Sequence, residues 1–76
     1  MINQVKIRLA VSQLVSASDF NYEKYGSDEC YSFNYLGSSV SIVHLDNDEW
    51  YIHHGEDIKM DSIESVIKWI LKLEEY

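Results

Sequence analysis

Residues 61–76 read DSIESVIKWILKLEEY, and the apolar surface of this stretch dictates how the rest of the chain is arranged. Ile63, Val66, Ile67, Ile70 and Leu71 fall at i, i+3, i+4, i+7 and i+8, which is one face of an α-helix. Asp61 is placed to cap the first turn, and Glu64 three residues on can reach back to it, as in a capping box. Ile and Val are mediocre helix formers, so the helix depends on the surface it covers.

The residues just upstream supply that surface. In residues 30–36, Tyr31, Phe33 and Tyr35 alternate with Ser32 and Asn34, the two-residue period of a strand with one face buried. Gly37-Ser38 reads as a two-residue hairpin turn. It pairs Leu36 with Ser39, so that Tyr35 faces Val40, Phe33 faces Ile42 and Tyr31 faces His44. A third strand, residues 49–54, follows Asp46-Asn47-Asp48. A two-residue loop there would turn Ile52 to the wrong side. A three-residue loop pairs Ile42 with Ile52 and His44 with Trp50, and keeps one apolar face continuous. Asn or Asp in left-handed conformation suits such a loop.

Residues 3–18, NQVKIRLAVSQLVSAS, carry two patterns. Val5, Ile7, Leu9 and Val11 alternate as in a strand, whereas Ile7, Val11, Leu14 and Val15, with Ala10 beside them, share one helical face. The helix accounts for residues 12–15 and is the expectation adopted; Lys6 and Arg8 lie off its buried face. Residues 19–29 read as a connector broken at Gly26, pinned down by Phe20, Tyr22 and Tyr25. Ile58 and Met60 lead into the last helix. The expected fold class is α+β: an N-terminal helix, a three-stranded antiparallel β-meander and a C-terminal helix packed on the sheet. Residues 1–76 are expected to form a single small domain.

A chain of 76 residues buries only about 60% of the surface its unfolded form exposes. Its six Tyr, two Phe and two Trp help, because aromatic side chains bury much area each. Cys30 has no second cysteine to pair with, which suits a reducing, cytoplasmic compartment. No run approaches the roughly 20 apolar residues of a membrane span. Lys6 and Arg8 ahead of LAVSQLVSA have the outline of a signal peptide, but Ser12 and Gln13 interrupt its apolar run.

Net charge is −7, unevenly spread. Residues 1–25 carry +1 and residues 26–76 carry −8. That sign argues against direct nucleic-acid binding and permits a binder of basic protein surfaces. Between Asp28 and Asp61, Lys59 is the lone cation. Turn geometry explains Asp46 and Asp48, but not the whole run. Clustered acids repel one another and cost stability, so a surface that keeps them is a candidate for a cationic partner. Asp46, Asp48, Glu49, Glu56 and Asp57 are the candidate partner-binding residues; solubility is the competing explanation.

Other chemistry finds less support. His44 and His54 fall on the inner sheet face and His53 on the outer, so adjacent His53 and His54 cannot share one zinc ion without a bulge. The expectation is no metal and no cofactor, with His44 and His54 hydrogen-bonded at the sheet rim. Nothing near Cys30 supplies an oxyanion hole or an active-site signature, and no enzyme is expected. Asp46 and Asp48 begin a calcium-loop spacing that Trp50 ends. On the last helix Trp69, Leu73 and Tyr76 form a second apolar side. The first helix is expected to cover it; left open, it would serve as a homodimer or partner anchor, since Trp is enriched among interface hot spots.

The segments CYSFNYLGSSVSIVHLDNDEWYI and DSIESVIKWIL, with the short length and net acidity, resemble small phage-encoded inhibitor proteins, anti-CRISPR proteins among them. The likeness lies in size, charge and element order over most of the chain, and it transfers no individual residue. It implies a non-catalytic inhibitor that occupies a basic nucleic-acid channel with acids in place of phosphates. The alternatives are a small homodimeric assembly module and an antitoxin that neutralises a basic nuclease toxin.

Overall fold

The computed structural model describes residues 2–74. Among them, two helices and five strands follow the order α1 (Ile2–Ser12), β1 (Ala17–Tyr25), β2 (Asp28–Tyr35), β3 (Ser38–His44), β4 (Trp50–His53), β5 (Asp57–Met60) and α2 (Ile63–Lys72). The strands form one antiparallel meander in sequence order. The core joins the inward residues of the sheet (Tyr31, Phe33, Tyr35, Val40, Ile42, Trp50 and Ile52) to Ile7, Ala10, Val11 and Leu14 on one side and Val66 and Ile70 on the other. The fold is therefore α+β, with both helices on one face of the sheet and the other face open.

The sheet has five strands rather than three. The segment expected to be a connector is β1, which pairs with β2 through a two-residue turn at Gly26-Ser27. Gly26 has φ 61, placing the positive φ at the first loop position as a type II′ turn requires. Asn21, Glu23 and Lys24 are poor strand formers, but they lie at the sheet edge, where nothing has to bury them. A β-bulge also breaks the alternation. Asp19 and Phe20 together oppose Phe33, Asp19 is left-handed with φ 58, and Phe20 packs on the core. β5 gives little periodic signal because its alternation lasts only four residues; Ile58 pairs with Ile52 and Met60 with Trp50.

The β2–β3 turn is Leu36-Gly37, not Gly37-Ser38. Both residues have positive φ, 52 and 82, as a type I′ turn demands. Tyr31 consequently pairs with Ile42, Phe33 with Val40 and Glu29 with His44. The slip leaves every side chain on its expected face, because parity is unchanged. In the expected register Glu29 would have stood opposite Asp46, carboxylate against carboxylate; the observed one gives it an imidazole. The β3–β4 loop has the three residues expected. Ile42 pairs with Ile52 and His44 with Trp50, Asp48 N–H donates to Leu45 O at 3.0 Å, and Asp48 is the left-handed residue with φ 68.

Both helices are shorter than expected. α1 ends at Ser12, whose hydroxyl donates to Leu9 O at 2.7 Å, a local bond that competes with helix continuation. Tight turns then bring Leu14 into the core, while Val15 is 92% exposed instead of lying on the helical face. α2 is capped by Ser62, not Asp61: the Ser62 hydroxyl accepts from Ser65 N–H at 3.3 Å. Its buried stripe centres on Val66 and Ile70 and takes in Trp69 and Leu73, which leaves Leu71 exposed.

Leucine in the left-handed region is strained by about 1–2 kcal/mol, and Leu36 is 72% exposed, so little packing is at stake. Leu36→Asn is expected to stabilise the fold by about 1 kcal/mol, read as a higher urea midpoint at unchanged slope. Ile52→Ala, at a fully buried position, is expected to cost about 2–5 kcal/mol by the same measurement.

Candidate functional site

The meander brings the β1–β2 and β3–β4 turns to the same end of the sheet. Glu23, Asp28, Glu29, Asp46, Asp48 and Glu49 gather there from three separate stretches of sequence. Asp28 Oδ1 accepts the Asp46 backbone N–H at 3.0 Å and ties the two turns together. The five acids singled out from the sequence do not form one cluster. Asp46, Asp48 and Glu49 lie at this end; Glu56 and Asp57 lie at the other end of β4, roughly 13 Å away along a four-residue strand. Asp28 and Glu29 do not stand out while residues 19–29 read as a connector; the signal for them is that Glu29 continues the Tyr31/Phe33/Tyr35 alternation by one step.

Several of these carboxylates have partners. Glu49 Oε2 lies 3.4 Å from Lys59 Nζ, and Glu49 Oε1 accepts from the Tyr51 hydroxyl at 3.2 Å. Asp57 bonds to His53 Nδ1. Asp46 and Glu56 are exposed.

The inner side of the acidic end is organised around Glu29. Its carboxylate accepts from the Tyr22 hydroxyl at 2.7 Å, the Tyr31 hydroxyl at 3.3 Å and His44 Nδ1 at 3.0 Å. The other ring nitrogen, His44 Nε2, lies 2.8 Å from Asp48 Oδ1. The His44 ring stacks on Trp50 with centroids 3.9 Å apart and planes within 10°. The Glu29 and His44 side chains are 15% and 16% exposed, whereas Asp48 is 86% exposed.

With a carboxylate at each nitrogen, the His44 ring is placed to donate at both when protonated, and the site favours the imidazolium form. Burial alone would lower its pKa, but hydrogen bonds to Glu29 and Asp48, with their charges, outweigh that and raise it. Glu29 shows the converse. Burial pushes its pKa up, and the hydrogen bonds from His44, Tyr22 and Tyr31 together bring it below the ordinary value. Burial, then the Glu29 charge, holds the Tyr31 phenol far above its usual range. In its protonated form the ring has no lone pair, and both nitrogens are spent on the two carboxylates. It joins β2 to the β3–β4 turn.

The remaining candidates have plainer surroundings. His54 sits edge-on to Trp69 at 5.8 Å, and His53 is exposed on the open face. Cys30 is half-buried on that face, and burial, then the Glu23 charge, pushes its thiol pKa up; a thiol held protonated is a poor nucleophile. Among the described residues, no three His, Cys, Asp or Glu side chains converge as a metal site. Trp69 and Leu73 pack against the core. The Tyr35 hydroxyl donates to Leu73 O at 2.9 Å, and the Glu74 carboxylate accepts from Val15 and Ser16 N–H at 3.0 and 2.9 Å. Tyr76 lies outside the described residues. No helix among them is long and apolar enough to cross a membrane.

The Glu29–His44 pair sets a window of pH for stability. His44's contribution is complete below its unfolded value of 6.5 and is lost as pH rises through its raised folded pKa. Glu29's contribution is complete above its unfolded value of 4.5 and is lost as pH falls through its lowered folded pKa. Urea midpoints measured across pH are therefore expected to be highest between 4.5 and 6.5 as far as this pair decides them. His44→Gln is expected to flatten the decline on the alkaline side; the same decline in both proteins would exclude His44 as its source.

Comparison with known proteins finds no matching family model, no matching curated protein and no matching solved structure.

Proposed function

We propose that this chain is a non-enzymatic binding protein that presents the acidic end of its sheet to a basic surface of a partner protein, of the kind that holds nucleic acid. The observation that carries this reading is the gathering of Asp28, Asp46 and Asp48 at one end by two turns, with Asp46 and Asp48 exposed. Mutual repulsion among them, answered within the chain by the His44 ring at Asp48, works against folding, and a cationic partner would relieve the remainder. The likeness in size, charge and element order to phage-encoded inhibitors of the anti-CRISPR type points the same way, as does a lone cysteine suited to the cytoplasm. An antitoxin that covers a basic nuclease would use the same contacts. In this reading Glu56 and Asp57, beyond β4, contribute to long-range attraction rather than direct contact.

Affinity capture from the native host is expected to recover a basic partner. Binding is expected to weaken as salt rises, since exposed charges are screened beyond about 8 Å at physiological ionic strength. Asp46→Lys with Asp48→Lys slows association, while Glu56→Lys has a smaller effect. Binding that ignores both salt and the reversals at Asp46 and Asp48 would overturn the proposal.

A homodimeric assembly module is the second reading, favoured by the exposed Val5 and Leu9 one turn apart on α1. Sedimentation at micromolar concentration separates the two. A salt-resistant dimer broken by Leu9→Lys supports assembly, and a monomer removes it.

A further inference from the structure

We infer that His44 is a proton-operated latch on the β3–β4 turn: protonated, it holds Asp48 against the sheet; deprotonated, it lets Asp48 go and makes the acidic end more negative. The argument rests on the unequal anchoring of its two carboxylates. Glu29 sits on β2, is almost buried and keeps two further donors, the hydroxyls of Tyr22 and Tyr31. Asp48 sits in a three-residue loop; its side chain is 86% exposed, and its carboxylate meets the sheet through the His44 ring. When the ring gives one proton to water, only one nitrogen can still donate. Nδ1–H stays with Glu29, whose carboxylate is fixed. The Nε2 lone pair then faces the Asp48 carboxylate, and the repulsion falls on the partner that is free to move.

Among the described residues, no other cation is paired with Glu29 or Asp48. Around this end of the inner face, β1 presents Tyr22 and Lys24, β2 presents Glu29 and Tyr31, and the turn presents Asp48. β4 and β5 contribute the uncharged Trp50 and Met60. Lys24 stands opposite Glu29 in the ladder but is exposed. Lys59 and Glu49 pair with one another. Asp48 is left-handed with φ 68, a backbone state that Asp tolerates better than most residues but still at some cost, so the freed turn has reason to relax. As a regulation of binding, the latch rests on the acidic-end reading above; as a property of the free protein it stands alone.

Trp50 reports on the ring directly, because a protonated imidazole stacked at 3.9 Å quenches indole emission more than a neutral one. In a Trp69→Phe background, Trp50 is the remaining tryptophan. Its emission, followed from about pH 5 to about pH 9, is expected to rise in one step with a midpoint above 6.5. The amide resonances of Asn47 and Asp48 in labelled protein are expected to move with that same midpoint. His44→Gln abolishes the step. Should His44→Gln fail to fold, Asp48→Asn decides the matter, since the site is exposed and Asn also accepts left-handed backbone; its step is expected at lower pH than in the parent.

An absent step, a midpoint unmoved by Asp48→Asn, or Asn47 and Asp48 amides that ignore the step would overturn the latch. Salt-independent capture with the step intact defeats the binding reading and leaves the latch standing. Salt-dependent capture with no step defeats the latch and leaves the binding reading standing.

Discussion

The row formed by Tyr22, Tyr31, Ile42, Ile52 and Ile58 crosses all five strands on one face of the sheet. Its burial is the constraint that the other features obey. Because strand side chains alternate, a slip of one residue in any ladder would turn part of this row toward water. Turn lengths follow from the need to keep it in line. The β3–β4 loop takes an odd number of residues for that reason, whereas Leu36 accepts an unfavourable φ in the turn that sets Glu29 opposite His44. The two helices have only to cover the row, which explains why they can be short and why just a few residues of each are fully buried.

At one end this apolar row gives way to polar groups without leaving any of them unsatisfied. Tyr22 and Tyr31 lie in the row by their rings and reach past it by their hydroxyls, both of which go to Glu29. Glu29 engages His44, and His44 lies flat on Trp50. Among the described residues, no buried side-chain nitrogen or oxygen lacks a partner. The network is thus continuous with the core on one side and with the exposed aspartates on the other. A charge at the surface is tied, through one ring, to the packing beneath it.

How much of this was legible in the sequence depended on how far each signal extended. The Ile42–Ile52 register could be read from parity, because the apolar residues on both sides of Asp46-Asn47-Asp48 left one loop length that kept a single face. The β2–β3 register could not, since Gly37-Ser38 and Leu36-Gly37 both preserve the face and differ in an electrostatic pairing, Glu29 with His44, that periodicity does not see. β1 was hidden by its position at the edge, where Asn21, Glu23 and Lys24 face solvent, and by a bulge that breaks the two-residue period at Asp19. The helix caps were off by a residue or more because Asp61 and Ser62 are both good caps and Ser12 ends α1 through a local hydrogen bond. The acidic end was half visible: Asp46 and Asp48 stood out in their turn, whereas Asp28 and Glu29 join them only once β2 reaches back to Asp28 and pairs with β3.

The bulge in β1 also bears on how these molecules treat one another in a crowded solution. An outermost strand of nine residues offers a row of unsatisfied amides and carbonyls on which another extended chain could template itself. At Asp19 the backbone turns left-handed and the repeat loses step, so a straight incoming chain cannot stay in register along the full length. The stretch that remains regular, residues 21–25, carries Glu23 and Lys24, which stacked copies would have to place beside their own kind. A protein with a thin core and an open flank is thereby shielded from zippering into fibrils, and the irregularity that disguised the strand is also what makes it safe to leave uncovered.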